Sequence, residues 1–185
     1  MLNDKNSLKI ITDFRNYIKK NFPQTISYVI NNELFIKIQA LKLLKIVNFL
    51  NKHTQTQFKI LSDICSLDYP WKKNRFQLFY NLLSIAYNSR VGIFFNINEK
   101  YFVNSIVSIY KVAGWFEREI WDLHGIYFLG HHDLRRILTD YGFSGHPLRK
   151  DFPLTGFREL SYDDTEGRIS LVTLELAQRS RAFSG

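Results

Sequence analysis

One cysteine stands in the 185 residues of this chain. Cys65 alone closes no internal disulfide and builds no thiolate cage for a metal. Its ordinary role is that of a small, buried apolar side chain. Long apolar runs are absent too, since none approaches the roughly 18 residues of a membrane-spanning helix. The chain opens without a cleavable signal pattern, and Asp4 and Asp13 argue against an Arg-rich, acid-poor transit peptide. These absences point to a soluble protein that works where it is made. The glycine loops GxGxxG and GxxxxGK[ST] are missing, which leaves no nucleotide-phosphate cradle. HExxH is missing, as is an HxE paired with CxxC, so zinc chemistry has no motif.

What is present is uneven. Residues 1–112 carry 16 Lys+Arg against 6 Asp+Glu, a balance of +10, whereas residues 113–185 carry 9 against 11, a balance of −2. Thirteen of 14 Lys lie in the first part and eight of 11 Arg in the second. Phe, Tyr, Met, Ile, Asn and Lys make up 74 of the 185 residues, as an AT-rich, organellar genome would give. Such a genome drifts from Arg to Lys wherever either serves. Arg kept in the second part therefore marks places that need a planar, forked cation.

The first part reads as one domain, 1–112. Leu8, Ile10, Ile11, Phe14, Ile18 and Phe22 recur at helical spacing until Pro23. Two apolar runs then flank Asn31-Asn32, a two-residue hairpin turn. Residues 41–52 are amphipathic, with Lys42, Lys45, Asn48 and Lys52 on one face. Strands follow near Phe58–Ser66, Phe76–Tyr87 and Arg90–Ile97, the last two joined at Asn88-Ser89. The order helix-strand-strand-helix-three strands predicts a two-layer α+β fold with a mixed sheet and helices on one face.

Residues 113–185 differ in character. "VAGWFEREIWDLHG" predicts a short helix closed by Gly125. Beyond Asp133 no regular pattern holds for about twenty-five residues, a length that in a compact domain signals disorder or function. Tyr141, Phe143, Phe152 and Phe157 supply too much apolar surface for disorder. The segment Asp140–Leu154, "DYGFSGHPLRKDFPL", is too broken for a helix or strand and too aromatic for an idle loop.

Three chemistries compete for this region. Glu117, Glu119 and Asp122 with His124, His131, His132 and His146 offer acids and ligands, and Glu119 and Asp122 share a helix face, but at no recognised metal spacing. A nucleic-acid reading rests on the +10 first part, yet its aromatics alternate as core strands do. Docking fits the close interleaving of opposite charges and the Arg and aromatic content. An irregular strap must also satisfy its backbone groups against something, either a neighbouring subunit or its own domain, and both can hold.

The stretches "GWFEREIWDLHGIYF" (114–128) and "HHDLRRILTDYGFSGHPLRKDFPLTG" (131–156) closely resemble the signature region of the thirty-kilodalton subunit family of respiratory complex I, in its mitochondrially encoded form. Weaker similarity runs through "ILSDICSLDYPWKKNRFQLFYNLLSIAYNSRV" (60–91). The resemblance implies an accessory subunit of the hydrophilic arm on the matrix side of the mitochondrial inner membrane. It implies no catalysis and no cofactor on this chain; FMN, iron–sulfur clusters and ubiquinone belong to other subunits. It implies that the C-terminal segment braces the quinone-reducing module by docking on the forty-nine-kilodalton subunit, with membrane association only through the complex and no nucleic acid. The docking residues are then Glu117, Arg118 and Asp122 on the helix, with Arg135 and Arg136 after it. In the strap they are Asp140, Tyr141, His146, Arg149, Lys150, Asp151 and Phe152. An organellar, ribosome-associated nucleic-acid binder is the alternative. Three departures from the family stand out. His124 replaces a usual aromatic, His132 replaces a usual Pro, and the tail "LAQRSRAFSG" is shorter than the usual ending.

Overall fold

The computed structural model describes residues 2–31, 33–176 and 178, with the backbone alone for residues 2–10. Helix α1 (Leu2–Asn21) is followed by strands β1 (Ile26–Ile30) and β2 (Glu33–Lys37), a 3-10 turn (Ala40–Lys42) and helix α2 (Leu43–Lys52). Strands β3 (Ile60–Asp68), β4 (Phe76–Ser84) and β5 (Ser89–Ile97) come next. This is the expected order. The strands form one five-stranded sheet, β1-β2-β5-β4-β3, in which β2 and β5 run parallel and every other neighbour is antiparallel.

Residue spacing accounts for each layer. In α2 the buried residues are Leu43, Ile46, Val47 and Leu50, one helix face, while Lys45, Asn48 and Lys52 face outward. Along β4 burial alternates residue by residue, placing Phe76, Leu78, Tyr80, Leu82 and Ser84 inward. Ile18 of α1 is fully buried, and Phe14 lies 5.8 Å, ring to ring, from Phe58. Each such Leu, Ile or Phe contributes roughly 1.5–3 kcal/mol by leaving water. The side chains of Leu8 and Ile10, and the tail at 177 and 179–185, lie outside the described residues.

The two hairpin turns compare differently with expectation. Asn31 has the left-handed φ of 49° that a tight turn needs, but its companion Asn32 lies outside the described residues. The β4–β5 connection is wider than a two-residue corner. It spans Ile85–Asn88 and closes when Asn88 N–H donates to the Ile85 carbonyl at 3.3 Å. Cys65 corrects a further expectation: it lies exposed on the uncovered face of the sheet rather than in the core.

The second part adds β6 (Val103–Asn104), α3 (Ala113–His124) and β7 (Phe128–Leu129). β6 and β7 pair in parallel, and α3 packs across β3. Val103, Ile106, Ala113, Ile120, Ile126 and Phe128 join the same core as the sheet. From Gly130 to Phe157 there is no helix or strand, as the broken pattern predicted. The chain then forms a hairpin that the sequence reading did not anticipate, β8 (Arg158–Asp163) and β9 (Arg168–Thr173). Asp163 organises its turn by accepting the Thr165 N–H at 2.9 Å. Among the described residues no helix is long and apolar enough to cross a membrane.

Candidate docking site

The C-terminal end of α3 builds the site. Gly125 adopts φ 75° and closes the helix, its N–H donating to the Trp121 carbonyl at 2.9 Å. A Cβ there would meet Arg149 Nη2 at 2.5 Å and His146 Cδ2 at 2.6 Å. Glycine thus allows both the turn and the close approach of the strap.

Asp122 lies one turn before the helix end and is fully buried. Its Oδ2 accepts the backbone N–H groups of Ile137 at 3.1 Å, Leu138 at 2.8 Å and Thr139 at 2.9 Å. Its Oδ1 accepts from Thr139 Oγ1 at 2.5 Å and Arg136 Nη1 at 2.7 Å. Burial works to raise the Asp122 pKa, but the Thr139 side chain and these amides override it and hold the carboxyl far below the usual range. Arg136 reaches on to the Gly145 carbonyl at 3.0 Å. His146 Nδ1 lies 2.9 Å from the Asp122 carbonyl, which makes Nδ1 the protonated ring nitrogen. Arg118 donates to the carbonyls of Arg135 and Arg136, both at 3.1 Å. One carboxylate, two guanidinium groups and one imidazole therefore shape residues 135–146 without any regular secondary structure.

A second clasp ties the strap to the sheet edge where β3 ends and β4 begins. Arg75 grips Asp68 with a fork, Nε to Oδ1 at 2.6 Å and Nη2 to Oδ2 at 2.8 Å. With its remaining donors Arg75 holds Asp151 at 3.0 and 2.7 Å. Asp68 also accepts the Lys150 N–H at 2.8 Å. Arg149 donates to the His124 carbonyl at 2.7 Å and pairs with Glu99. Both Asp68 and Asp151 have lowered pKa values. Burial opposes this at Asp68, where Arg75 and the Lys150 amide prevail, whereas Arg75 leads at Asp151.

Aromatic packing completes the strap. Phe152 lies 6.0 Å from Phe143 and 5.5 Å from Phe157, ring to ring. Gly145, with φ 109°, sits beneath the Phe152 ring, where a Cβ would come within 2.6 Å of it. His124 packs edge-on against Phe76 at 6.1 Å and lies 2.8 Å, by Nδ1, from Ser66 Oγ. It therefore does fill the slot of a flat ring. Burial pushes its pKa down to about 4, with Arg149, His146 and Arg75 adding to the shift and Asp68 opposing it.

Several expectations need correction. Two of the expected docking residues, Glu117 and Asp122, are fully buried and accept hydrogen bonds from within the chain. Among the described residues Arg149 meets the Glu99 carboxylate through one nitrogen, and Arg135 pairs with neighbouring Asp133, at 3.0 Å on the surface. The fork belongs to Arg75 on Asp68, and neither these two residues nor Glu99 lies in a motif. One signal was available: Arg75 is one of only three Arg in residues 1–112, where Lys is the habit. Glu119 is exposed while Asp122 is buried, so those two carboxylates do not converge. Among the described residues no cluster of His, Cys, Asp or Glu is placed to hold a metal.

The outer surface of the strap is unlike its inner one. Tyr141 is 98% exposed and Leu154 93%, and Leu138, Leu148 and Phe157 are also exposed. Lys150 and Arg135 stand among them. A cavity of about 250 Å³ opens between Asp140–Ser144, Phe152 and the β8–β9 hairpin. Apolar side chains held out on a fixed scaffold are what a protein interface presents.

Residues 36–158 match the family described as "Respiratory-chain NADH dehydrogenase, 30 Kd subunit". The chain is 47% identical over 178 residues to NADH-ubiquinone oxidoreductase subunit 9 of Reclinomonas americana, covering 95% of this chain and 87% of that protein. It is 52% identical over 141 residues to NADH dehydrogenase [ubiquinone] iron-sulfur protein 3 of Beta trigyna, covering 76% and 73%. The counterpart from Solanum tuberosum is 50% identical over 141 residues, covering 76% and 74%. Among solved structures, a chain of the membrane-bound sulfane sulfur reductase, an archaeal respiratory membrane complex, shares the fold with a TM-score of 0.68 at 22% identity, covering 77% of this chain and 85% of that one. The plant name speaks of iron and sulfur. A protein-held cluster needs several thiolates, at least two even where histidines assist, and this chain has one Cys. Its residues do not fit a cluster.

Proposed function

This chain belongs to the family of the 30 kDa subunit of the respiratory-chain NADH dehydrogenase, and from that premise we propose that it is a non-catalytic bracing subunit of the hydrophilic arm of complex I. Its strap docks on the forty-nine-kilodalton subunit of the quinone-reducing module. The complex holds it at the matrix side of the mitochondrial inner membrane, and flavin, clusters and quinone sit on other chains. The observation that carries this reading is the two-sidedness of residues 135–157. The inner side is clamped by Asp122, Arg136, Arg75 and Arg149, and the outer side presents Tyr141, Leu154 and Leu138 to solvent. A strap fixed before binding loses little conformational entropy on docking.

The test is incorporation. A Tyr141→Ser, Leu154→Ser double variant touches only outward side chains, so the isolated chain keeps its fold and unfolding midpoint. Its incorporation into the complex, followed on native gels, falls by about tenfold or more, the equivalent of one buried anchor. Lys45→Ala on the far face of α2 serves as the control and incorporates normally. Equal incorporation of the double variant would remove the docking role from this surface.

A further inference from the structure

Glu117 plays no part in holding the strap, yet it is fully buried in the first half of α3. Its Oε1 accepts the Ile106 N–H at 2.8 Å, and the Ser105 hydroxyl also bonds to it. Its Oε2 has no hydrogen-bond partner among the described residues. Tyr80, on the inward face of β4, is likewise fully buried with an unpartnered Oη. The Tyr80 phenol is pushed well above its usual range, first by burial and then by the Glu117 carboxylate.

Among the described residues no Lys or Arg pairs with Glu117. His131 is the one ionisable nitrogen nearby among the described residues, with Nε2 at 4.0 Å from Oε2. His131 Nδ1 accepts the Asp133 N–H at 3.1 Å, and Nε2 lies 3.2 Å from the Gly114 carbonyl. With Nδ1 accepting, Nε2 is turned to the Gly114 carbonyl, nearer than Glu117 Oε2. The neighbouring charges on α3 turn elsewhere. Arg118 serves the carbonyls of 135 and 136, and Glu119 faces solvent. A full negative charge in this place is thus poorly compensated, and burying one costs several kcal/mol unless the group takes up a proton.

We propose that Glu117, buried beneath α3 with Oε2 unpartnered, is a proton-binding site: with the proton bound α3 packs at its full stability, and release of the proton leaves a poorly compensated charge in the core and loosens α3. Burial lifts the Glu117 pKa to about 7, opposed by the Ser105 and Ile106 hydrogen bonds, so the site titrates within a physiological range. An acid whose folded pKa is raised has its stabilising share fully present below the unfolded value, near 4.5, and loses it as pH climbs through about 7. His124 and His146 have lowered pKa values, from burial above all, and shift the profile in the opposite sense. The Glu117 contribution is therefore read as a difference between variants. α3 also carries Asp122, so loosening spreads to the amides of 137–139 that Asp122 holds.

The experiment compares the full chain with Glu117→Gln, which keeps an oxygen for the Ile106 N–H and cannot ionise. Between about pH 5 and pH 8 the unfolding equilibrium of the wild type rises relative to Glu117→Gln by up to about a hundredfold. Amide exchange at Ile106 and Thr139, corrected for its intrinsic pH dependence, accelerates between about pH 5 and pH 7 in the wild type only and levels off above that. Parallel pH profiles for the two proteins would overturn the proposal. If the variant fails to fold, infrared spectroscopy of the wild type decides. A protonated carboxyl band present near pH 6 and lost by pH 8 supports the site, and its absence near pH 6 contradicts it. None of these readouts involves a partner, so the result is independent of the docking reading.

Discussion

Asp122 and Arg75 do the same work by opposite charges: the one buried, the other partly buried, each converts an irregular backbone into a fixed one. Asp122 satisfies three consecutive amides and a guanidinium. Asp122→Ala strands Arg136 and three N–H groups and costs on the order of 3–5 kcal/mol in chemical denaturation. Its lowered pKa fixes the pH sense. The stabilisation is fully present above the unfolded carboxyl value, near 3.8, and is lost only in strong acid as pH falls through the folded value. At Arg75 the side chain is 12% exposed and that of Asp68 1%. Arg75→Ala therefore costs about 3–5 kcal/mol, and Arg75→Lys recovers only part, because an ammonium cannot fork onto Asp68 while reaching Asp151. Asp151 is 61% exposed, so Asp151→Asn costs under about 1 kcal/mol after solvent screening. A loss as large as that of Arg75→Ala would mean that the strap, not Asp68, is the partner that matters.

At the scale of elements, α3 and the strap act as one unit through Gly125. Gly125→Ala places a Cβ in the left-handed region and against Arg149 and His146. The expected cost is about 1–2 kcal/mol for the backbone, with the strap displaced as well. Proteolysis of the 140–157 segment, slow in the wild type, should speed up in this variant. Elements with strong local periodicity were legible in the sequence. The Leu43, Ile46, Val47, Leu50 stripe dictates α2, and the alternation through Phe76–Ser84 dictates β4. β6 and β7 have two residues each and exist only because distant segments meet, so no local pattern announces them. The β8–β9 hairpin interleaves charged residues with Leu160, Tyr162, Ile169 and Leu171, which remain exposed, so the usual inward stripe is missing. The α3 end and strap were legible because Gly, Arg and aromatics concentrate there. The sheet-edge half of the clasp was not, since Asp68–Lys150 and Arg75–Asp151 join positions 82 and 76 residues apart.

At the scale of the whole molecule, one α+β core supports a C-terminal strap whose inner face is spent on that core and whose outer face is free. The central claim is that this outer face meets the large subunit of the quinone module. The most direct measurement places a photo-crosslinking amino acid singly at 141, 154 and, for contrast, 48 on the far face of α2, in chains assembled into the intact complex. The account predicts that 141 and 154 crosslink to the forty-nine-kilodalton subunit and that 48 does not. Crosslinks from 48 to that subunit, with none from 141 or 154, would contradict it.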